Sequence, residues 1–256
     1  MRIPNEVKPI LDAYVERASA AFGADLLACY IQGSIALGDY DPRTSDIDFV
    51  TVLRRAASTS ELRRLHRGLR GGVSRSRRLE GVYVTESDLA RGDYDQRYPS
   101  IEWGILQPGR VGPTARRVLR DHGVVLTGPS PADLVPAIPS EALRTEMAFN
   151  LNRYWAPKVR RRLPMFVFNV PVDFAVLTIP RILHTLETGG IISKRAAADY
   201  LDSRFPEWKP LVDDVRSRFS SAPPATRMNR ITRALETRRF VLEMVRFANR
   251  QYGLGP

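Results

Sequence analysis

The sequence predicts an α+β chain of two domains, an N-terminal domain of alternating helices and strands over residues 1–130 and a C-terminal α-helical bundle over residues 140–256. Three observations carry that prediction. In the first part, short apolar runs bounded by turn residues alternate with amphipathic stretches. A proline-rich stretch from Gly123 to Pro139 has no helical period and reads as a linker between domains. From Ser140 onward the apolar residues recur at helical spacing.

The elements follow in order. Val7, Ile10, Leu11, Tyr14, Val15 and Ala18 share one face of an amphipathic helix that Gly23 ends. Leu26 to Ile31 is short and apolar, a buried strand that runs into Gln32-Gly33-Ser34. A second strand is expected over Ile47 to Leu53. Between the two lies a loop with one short helical turn, Ile35 to Ser45, punctuated by Gly38, Asp41 and Pro42. A basic helix around Ser60 to Leu69 precedes a third strand that begins near Glu80, where Val82 and Val84 alternate with Tyr83 and Thr85. In the C-terminal half Leu177 to Leu186 is densely apolar, and Ile231, Ala234, Leu235, Val241, Leu242 and Val245 are expected on one face of the last long helix. A groove between two such domains is a common place for a small-molecule site.

Composition narrows the function classes. At 256 residues, 43% of them hydrophobic, the chain can bury real cores. No apolar run approaches the roughly 20 residues of a membrane-spanning helix, and Met1 to Glu6 lacks the apolar stretch of a signal peptide, so a cytoplasmic protein without membrane attachment is expected. Cys29 has no partner for an internal disulfide and lies within an apolar run, as buried filler does. His66, His122 and His184 are scattered, which argues against zinc. The net charge of +11 calls for an anionic partner: nucleic acid, an acidic surface or a nucleotide. All the basic residues except Lys8, Lys158, Lys194 and Lys209 are arginine, spread over most segments, a pattern of solvated faces more than of a nucleic-acid patch.

One stretch carries chemistry. Asp46 and Asp48 stand two residues apart at the mouth of an apolar strand, so both point to the same face. Two like charges held that close call for a hard divalent cation, with substrate phosphates completing its shell. A lone Asp-x-Asp is more often a solvated strand edge. Here, however, Gly33 lets the backbone approach a ligand, and Ser34 offers a hydroxyl and an N–H to phosphate oxygens. Phosphate cradle and metal clamp side by side are the equipment of phosphoryl or nucleotidyl transfer.

The run Gly33-Ser34, Gly38 and then Ser45-Asp46-Ile47-Asp48 resembles the signature of the nucleotidyltransferase fold that DNA polymerase beta shares. Over nearly its full length the chain is similar to the aminoglycoside 3''/9 adenylyltransferases, which modify streptomycin and spectinomycin. Leu79 to Val84, Arg97-Tyr98-Pro99, Val176-Leu177-Thr178 through Arg181, Ile191 to Lys194 and Ala196 to Asp199 carry that narrower match. The resemblance implies a nucleotidyltransferase domain with a mixed sheet and a helical substrate-binding domain. It also implies Asp46 and Asp48 as ligands of two Mg2+ ions, Gly33 and Ser34 on the triphosphate of ATP, and Ser45 as a further phosphate contact. Glu80 becomes the base that deprotonates the acceptor hydroxyl, and Lys194 a nucleotide contact from the helical domain. A strand opened by Glu80 and paired beside the Asp46/Asp48 strand would bring its carboxylate near the metals, as a base requires.

Departures from the family pattern bear on the acceptor. Members that accept streptomycin use an acidic cluster at the start of the helix before Arg181 and a tryptophan beyond the Arg-Tyr-Pro segment. In this chain Asn169 to Asp173 contains one acid, and Trp103 stands close to the tryptophan's place, aligning better with an aromatic upstream of it. Trp103 and Asp173 are the acceptor-binding candidates. A cationic aminoglycoside gains affinity from carboxylates, so spectinomycin or another hydroxylated metabolite is as plausible an acceptor as streptomycin. The expected protein is a monomeric, Mg2+-dependent adenylyltransferase that takes ATP and a small aminoglycoside or aminocyclitol as partners. The alternative is nucleotidyl transfer to another small metabolite, to RNA or to a protein hydroxyl. A catalytically dead nucleotide-binding module would have no reason to keep Asp46, Asp48 and Glu80.

Overall fold

The computed structural model describes residues 3–70, 78–219 and 228–255. The chain divides into two compact units, Met1–Ile138 and Pro139–Pro256. The first unit contains α1 (Lys8–Phe22), β1 (Leu26–Ile31), α2 (Gly33–Ala36), β2 (Ile47–Leu53), α3 (Thr59–Arg70), β3 (Leu79–Thr85), α4 (Glu86–Ala90), β4 (Arg97–Glu102), β5 (Ile105–Arg110), α5 (Pro113–His122), β6 (Val124–Thr127) and α6 (Pro131–Leu134). Its sheet has the order β5-β4-β3-β2-β1-β6. β2 and β3 run parallel while every other neighbouring pair is antiparallel, so the sheet is mixed. A parallel pair needs a crossover, and α3 lies within that connection.

The two-residue period of the strands assigns the faces. Ile47, Phe49, Leu53, Leu79 and Tyr83 are buried together with Ile10, Leu11, Tyr14, Ala18 and Phe22 of α1 and Leu62, Leu65 and Leu69 of α3. Truncating a large side chain of this core, such as Leu11 or Leu79, to alanine costs about 2–5 kcal/mol. The same core holds a satisfied polar set: Tyr14 Oη bonds Thr51 Oγ1 and Tyr83 Oη, and His66 Nε2 bonds Tyr83 Oη. Burial raises the Tyr14 pKa well above that of free tyrosine. Cys29 lies fully buried beside Thr51, and burial pushes its thiol up to about 11, so it stays protonated as filler. The opposite parity of β2 and β3 carries Asp48 and Glu80.

The structure corrects the linker reading of Gly123 to Pro139. Val124–Thr127 is β6, paired antiparallel with β1, and Val135 and Ile138 are buried. The strand is too short for its alternation to register. The prolines that suggested a linker sit where prolines fit, Pro131 at the first turn of α6 and Pro129 just after the strand, its carbonyl accepting from Tyr30 Oη at 2.9 Å.

The second unit contains α7 (Ser140–Phe149), a π-helical segment (Asn150–Trp155), α8 (Ala156–Arg161), a 3-10 segment (Leu163–Val167), α9 (Asn169–Thr188), α10 (Lys194–Arg204), α11 (Lys209–Arg216) and α12 (Arg230–Tyr252). Trp155, Phe166, Val176, Leu183, Leu201, Trp208, Phe240 and Val241 lie in its core. The face of α12 differs from the expected one: Ile231 is 70% and Leu235 49% exposed, while Arg233, Ala234, Thr237, Phe240, Val241, Met244, Val245 and Ala248 are buried. Two polar residues turn inward with carbonyls in reach, Thr237 Oγ1 donating to the Arg233 carbonyl and Arg233 Nη2 to the Val167 carbonyl.

Candidate active site

The site begins where β1 ends. The chain turns through Gln32 into α2, and Gly33 takes a φ of +63° that favours glycine. A Cβ added there would lie 1.9 Å from Oδ2 and 2.7 Å from Cγ of Asp48. Glycine is therefore demanded twice, by the backbone and by the carboxylate pressed against it. The Gln32 N–H donates to the Asp48 carbonyl at 2.9 Å, which ties the turn to β2. Oε1 of Gln32 and Oγ of Ser34 are buried, with no hydrogen-bond partner among the described residues. An unsatisfied buried polar atom costs about 1–3 kcal/mol, so a pair of them at one turn marks a surface built for a ligand that supplies the partners.

The loop before β2 is braced internally. Ser45 Oγ accepts the Asp41 N–H at 3.0 Å, and the Ser45 N–H donates to the Asp41 carbonyl at 2.8 Å. The hydroxyl expected on phosphate thus closes the loop that delivers Asp46. Arg78, at the foot of β3, donates to the carbonyls of Pro42 (3.0 Å), Arg43 (2.8 Å) and Ser45 (3.3 Å). Sequence reasoning missed Arg78 and gave Gln32 no role. Arg78 stands in an arginine-rich run with nothing to distinguish it, whereas Gln32 directly precedes the Gly-Ser pair and its position was the available signal.

Asp48 and Glu80 are directly paired in the β2–β3 register. Neighbouring strands lie about 4.8 Å apart, and the shared parity places both carboxylates on one face. Glu80 is half-buried, and its Oε1 accepts the Trp103 N–H at 2.9 Å. Burial is the main reason its pKa is pushed up to about 7; the Trp103 N–H opposes the shift, and the negative charges of Asp46, Asp48 and Glu102 add to it. The carboxylate is thus poised near neutrality, as a general base should be. Trp103 itself forms the turn between β4 and β5 and is 76% exposed.

Asp46, Asp48, Glu80, Gly33, Ser34, Ser45 and Trp103 all belong to the first unit. The two candidates of the second unit lie on different helices. Asp173, in the first turns of α9, is ion-paired through Oδ1 with Nε and Nη2 of Arg218, and Arg218 Nη1 also bonds Asp214 Oδ2 at 2.6 Å. Burial raises the Asp173 pKa, against the pull of Arg218. Lys194 is exposed at the first position of α10, whose cap is the Ser193 hydroxyl accepting the Ala196 N–H. The segment before it is held by Arg181 Nε on the Ile192 carbonyl and Thr185 Oγ1 on the Gly190 carbonyl, each at 3.0 Å.

The donor set suits magnesium better than a metal caged by protein. Among the described residues no group of three or more His, Cys, Asp or Glu is arranged to hold a metal ion. Mg2+ characteristically takes one or two carboxylates and completes its octahedron with substrate phosphates and water, and Asp46 and Asp48 beside the unsatisfied Ser34 hydroxyl fit that pattern.

A mixed sheet that sets a Gly-Ser turn against an Asp-x-Asp strand, with a carboxylate on the next strand, defines a nucleotidyltransferase. Comparison with known proteins is more specific. Residues 133–246 match the family model described as "Aminoglycoside adenylyltransferase, C-terminal domain". The chain is 27% identical over 223 residues to an aminoglycoside (3'') (9) adenylyltransferase of Escherichia coli, covering 76% of this chain and 78% of that one. It is 23% identical over 235 residues to a spectinomycin 9-adenylyltransferase of Campylobacter jejuni, covering 84% and 86%. Its fold superposes with a TM-score of 0.69 on a spectinomycin adenyltransferase from Enterococcus faecialis, solved with ATP and spectinomycin, at 16% identity and with 91% of this chain and 98% of that one covered. The chain is thus an enzyme of the adenylyltransferase type, similar to the aminoglycoside and spectinomycin adenylyltransferases. Among the described residues no helix is long and apolar enough to cross a membrane.

Proposed function

We propose that this chain transfers the adenylyl group of ATP to a hydroxyl of a small aminocyclitol or aminoglycoside, acting as a monomer with two Mg2+ ions. The observation that carries the reading is the Asp48–Glu80 pair with Gly33 packed against the Asp48 carboxylate, which supports a metal ligand, a phosphate turn and a base as neighbours. Asp46 and Asp48 hold the magnesium, which when bound neutralises charge on the phosphate oxygens. Ser34, with its unsatisfied hydroxyl, binds the triphosphate at the Gly33 turn. Ser45 acts by shaping the loop ahead of Asp46. Glu80 takes the proton of the acceptor hydroxyl as that oxygen bonds to the α-phosphorus and pyrophosphate departs. Lys194, exposed at the start of α10, offers a positive charge to a nucleotide.

Trp103 offers an exposed indole to the acceptor. Asp173 is the one acid of its stretch and is already spent on Arg218, so a polycationic acceptor finds no free carboxylate there. That favours an acceptor with few positive charges, of the spectinomycin kind, over streptomycin. The test is pyrophosphate release by the purified chain with Mg-ATP and a panel of acceptors. Spectinomycin should stimulate release more than streptomycin does. No stimulation by any aminocyclitol or aminoglycoside would overturn the reading.

A further inference from the structure

β4 and β5 are joined by a two-residue turn, since Glu102 and Ile105 form the last pair of the ladder and only Trp103 and Gly104 lie between. Both turn residues have positive φ, +54° for Trp103 and +74° for Gly104. That is the handedness that matches the twist of the flanking strands, and it favours Asn-Gly or Asp-Gly. Trp103 is the one non-glycine residue with positive φ among the described residues. An aromatic side chain gains nothing from this conformation, and an asparagine would enter it with less strain. Backbone outliers of this kind tend to cluster at functional sites.

The position of the turn shows what the conformation achieves. Gly81 pairs with Ile101 and Val82 with Ser100, so β4 runs back along β3 and brings the turn over the start of that strand. There the Trp103 N–H is aimed at Glu80 Oε1, 2.9 Å away, while the indole projects into solvent. The hairpin is braced on the side of β5, with Ser100 Oγ on the Gln107 carbonyl at 2.9 Å and Gln107 Nε2 on Glu102.

We infer that the Trp103–Gly104 turn is a positioning device for Glu80, in which the Trp103 amide fixes the carboxylate and the indole serves the acceptor separately. The inference rests on the proposed role of Glu80 as base. Gly104 is then a positioning residue, and its left-handed backbone is what directs the neighbouring amide. Misplacing a reacting group by about 1 Å can cost on the order of 100-fold in rate.

The test is a set of steady-state measurements on the full chain with Mg-ATP and its acceptor. Gly104→Val, which disfavours positive φ, should lower kcat by on the order of 10- to 100-fold with ATP affinity unchanged, and Gly104→Asn, which tolerates that φ, should recover most of the rate. Trp103→Asn keeps the turn and the amide, so it should raise the acceptor KM while kcat falls by less than about threefold, the size of one weak contact. Circular dichroism and ATP binding check each variant for folding. If Gly104→Val does not fold, the KM-against-kcat split of Trp103→Asn decides. A folded Gly104→Val variant with full kcat, or a Trp103→Asn variant whose kcat falls as far as that of Glu80→Gln, overturns the inference. Unchanged turnover in Glu80→Gln would instead remove the base assignment, so the two failures are distinguishable.

Discussion

Asp48 of β2 and Glu80 of β3 face one another across the single parallel pair of the sheet, directly in register and on the same face. The pairing places a carboxylate suited to a cation beside one whose pKa is raised toward neutrality. Burial does most of that work, and Asp46 and Asp48 contribute their charge. On the proposed reading, of these two carboxylates one strand spacing apart, Asp48 holds metal and Glu80 takes the proton.

Replacing Asp48 by asparagine should abolish transfer with the fold intact, because an amide cannot balance divalent charge as a carboxylate does. Gly33→Ala should resemble it, since the new Cβ would occupy the space of Asp48 Oδ2, at 1.9 Å, on a backbone of positive φ. Pyrophosphate release and circular dichroism together measure both. Full activity in the asparagine variant would remove the metal-site assignment.

Glu80→Gln keeps shape and the acceptor for the Trp103 amide but loses basicity. Turnover should fall on the order of 100-fold, the usual weight of general-base catalysis, while ATP binding measured by calorimetry stays close to that of the parent. A variant that turns over normally would leave Glu80 a surface carboxylate.

The pH dependence follows from the Glu80 pKa of about 7. A base must be deprotonated, so kcat/KM should rise with pH and level off on an acid limb at or below that value, and the limb should be missing in Glu80→Gln. Bound cations offset the charges of Asp46 and Asp48, so the limb moves to lower pH when Mg2+ is present. The stability sign is the reverse. A carboxyl whose folded pKa is raised favours the folded state most at pH below its unfolded value of about 4.3, and that advantage is lost as pH rises through about 7. Glu80→Gln should therefore melt above the parent at pH 8, with the difference closing near pH 4; equal melting temperatures at pH 8 would contradict this.

In the helical unit, Asp214 is 2% exposed and meets Arg218 at 2.6 Å and Arg233 at 3.7 Å, while Arg218 also holds Asp173. Arg218→Met takes the ion-pair partner of Asp173 away and leaves buried Asp214 with Arg233 at 3.7 Å, and breaking such a set typically costs about 3–5 kcal/mol. Chemical denaturation should show that loss, and an effect under about 1 kcal/mol, the range of a solvated surface pair, would mean the cluster is open to water.

Local chemistry determined what could be read along the chain. Leu26 to Ile31 and Ile47 to Leu53 announce strands because apolar runs of that length between turn residues have few alternatives, and both are strands in the structure. Gly33-Ser34 and Asp46-x-Asp48 are legible because their chemistry depends on neighbours only one or two residues away. Periodicity also marked α1, α3 and the helical half. The tertiary structure alone decided which distant residues meet. Nothing local fixes that β3 pairs with β2 so that Glu80 lands opposite Asp48, or that the Trp103 amide reaches Glu80 from 23 residues away. The same holds for Asp173, a lone acid in the sequence whose charge is taken by Arg218, 45 residues on. Val124–Thr127 and the buried side of α12 escaped local reading for a related reason. A short edge strand shows itself only through its partner, and the inward turn of Arg233 and Thr237 depends on carbonyls that each side chain reaches. Hydrophobic period is a property of the segment, whereas register, ion pairing and the burial of polar groups are settled by what the rest of the chain brings alongside.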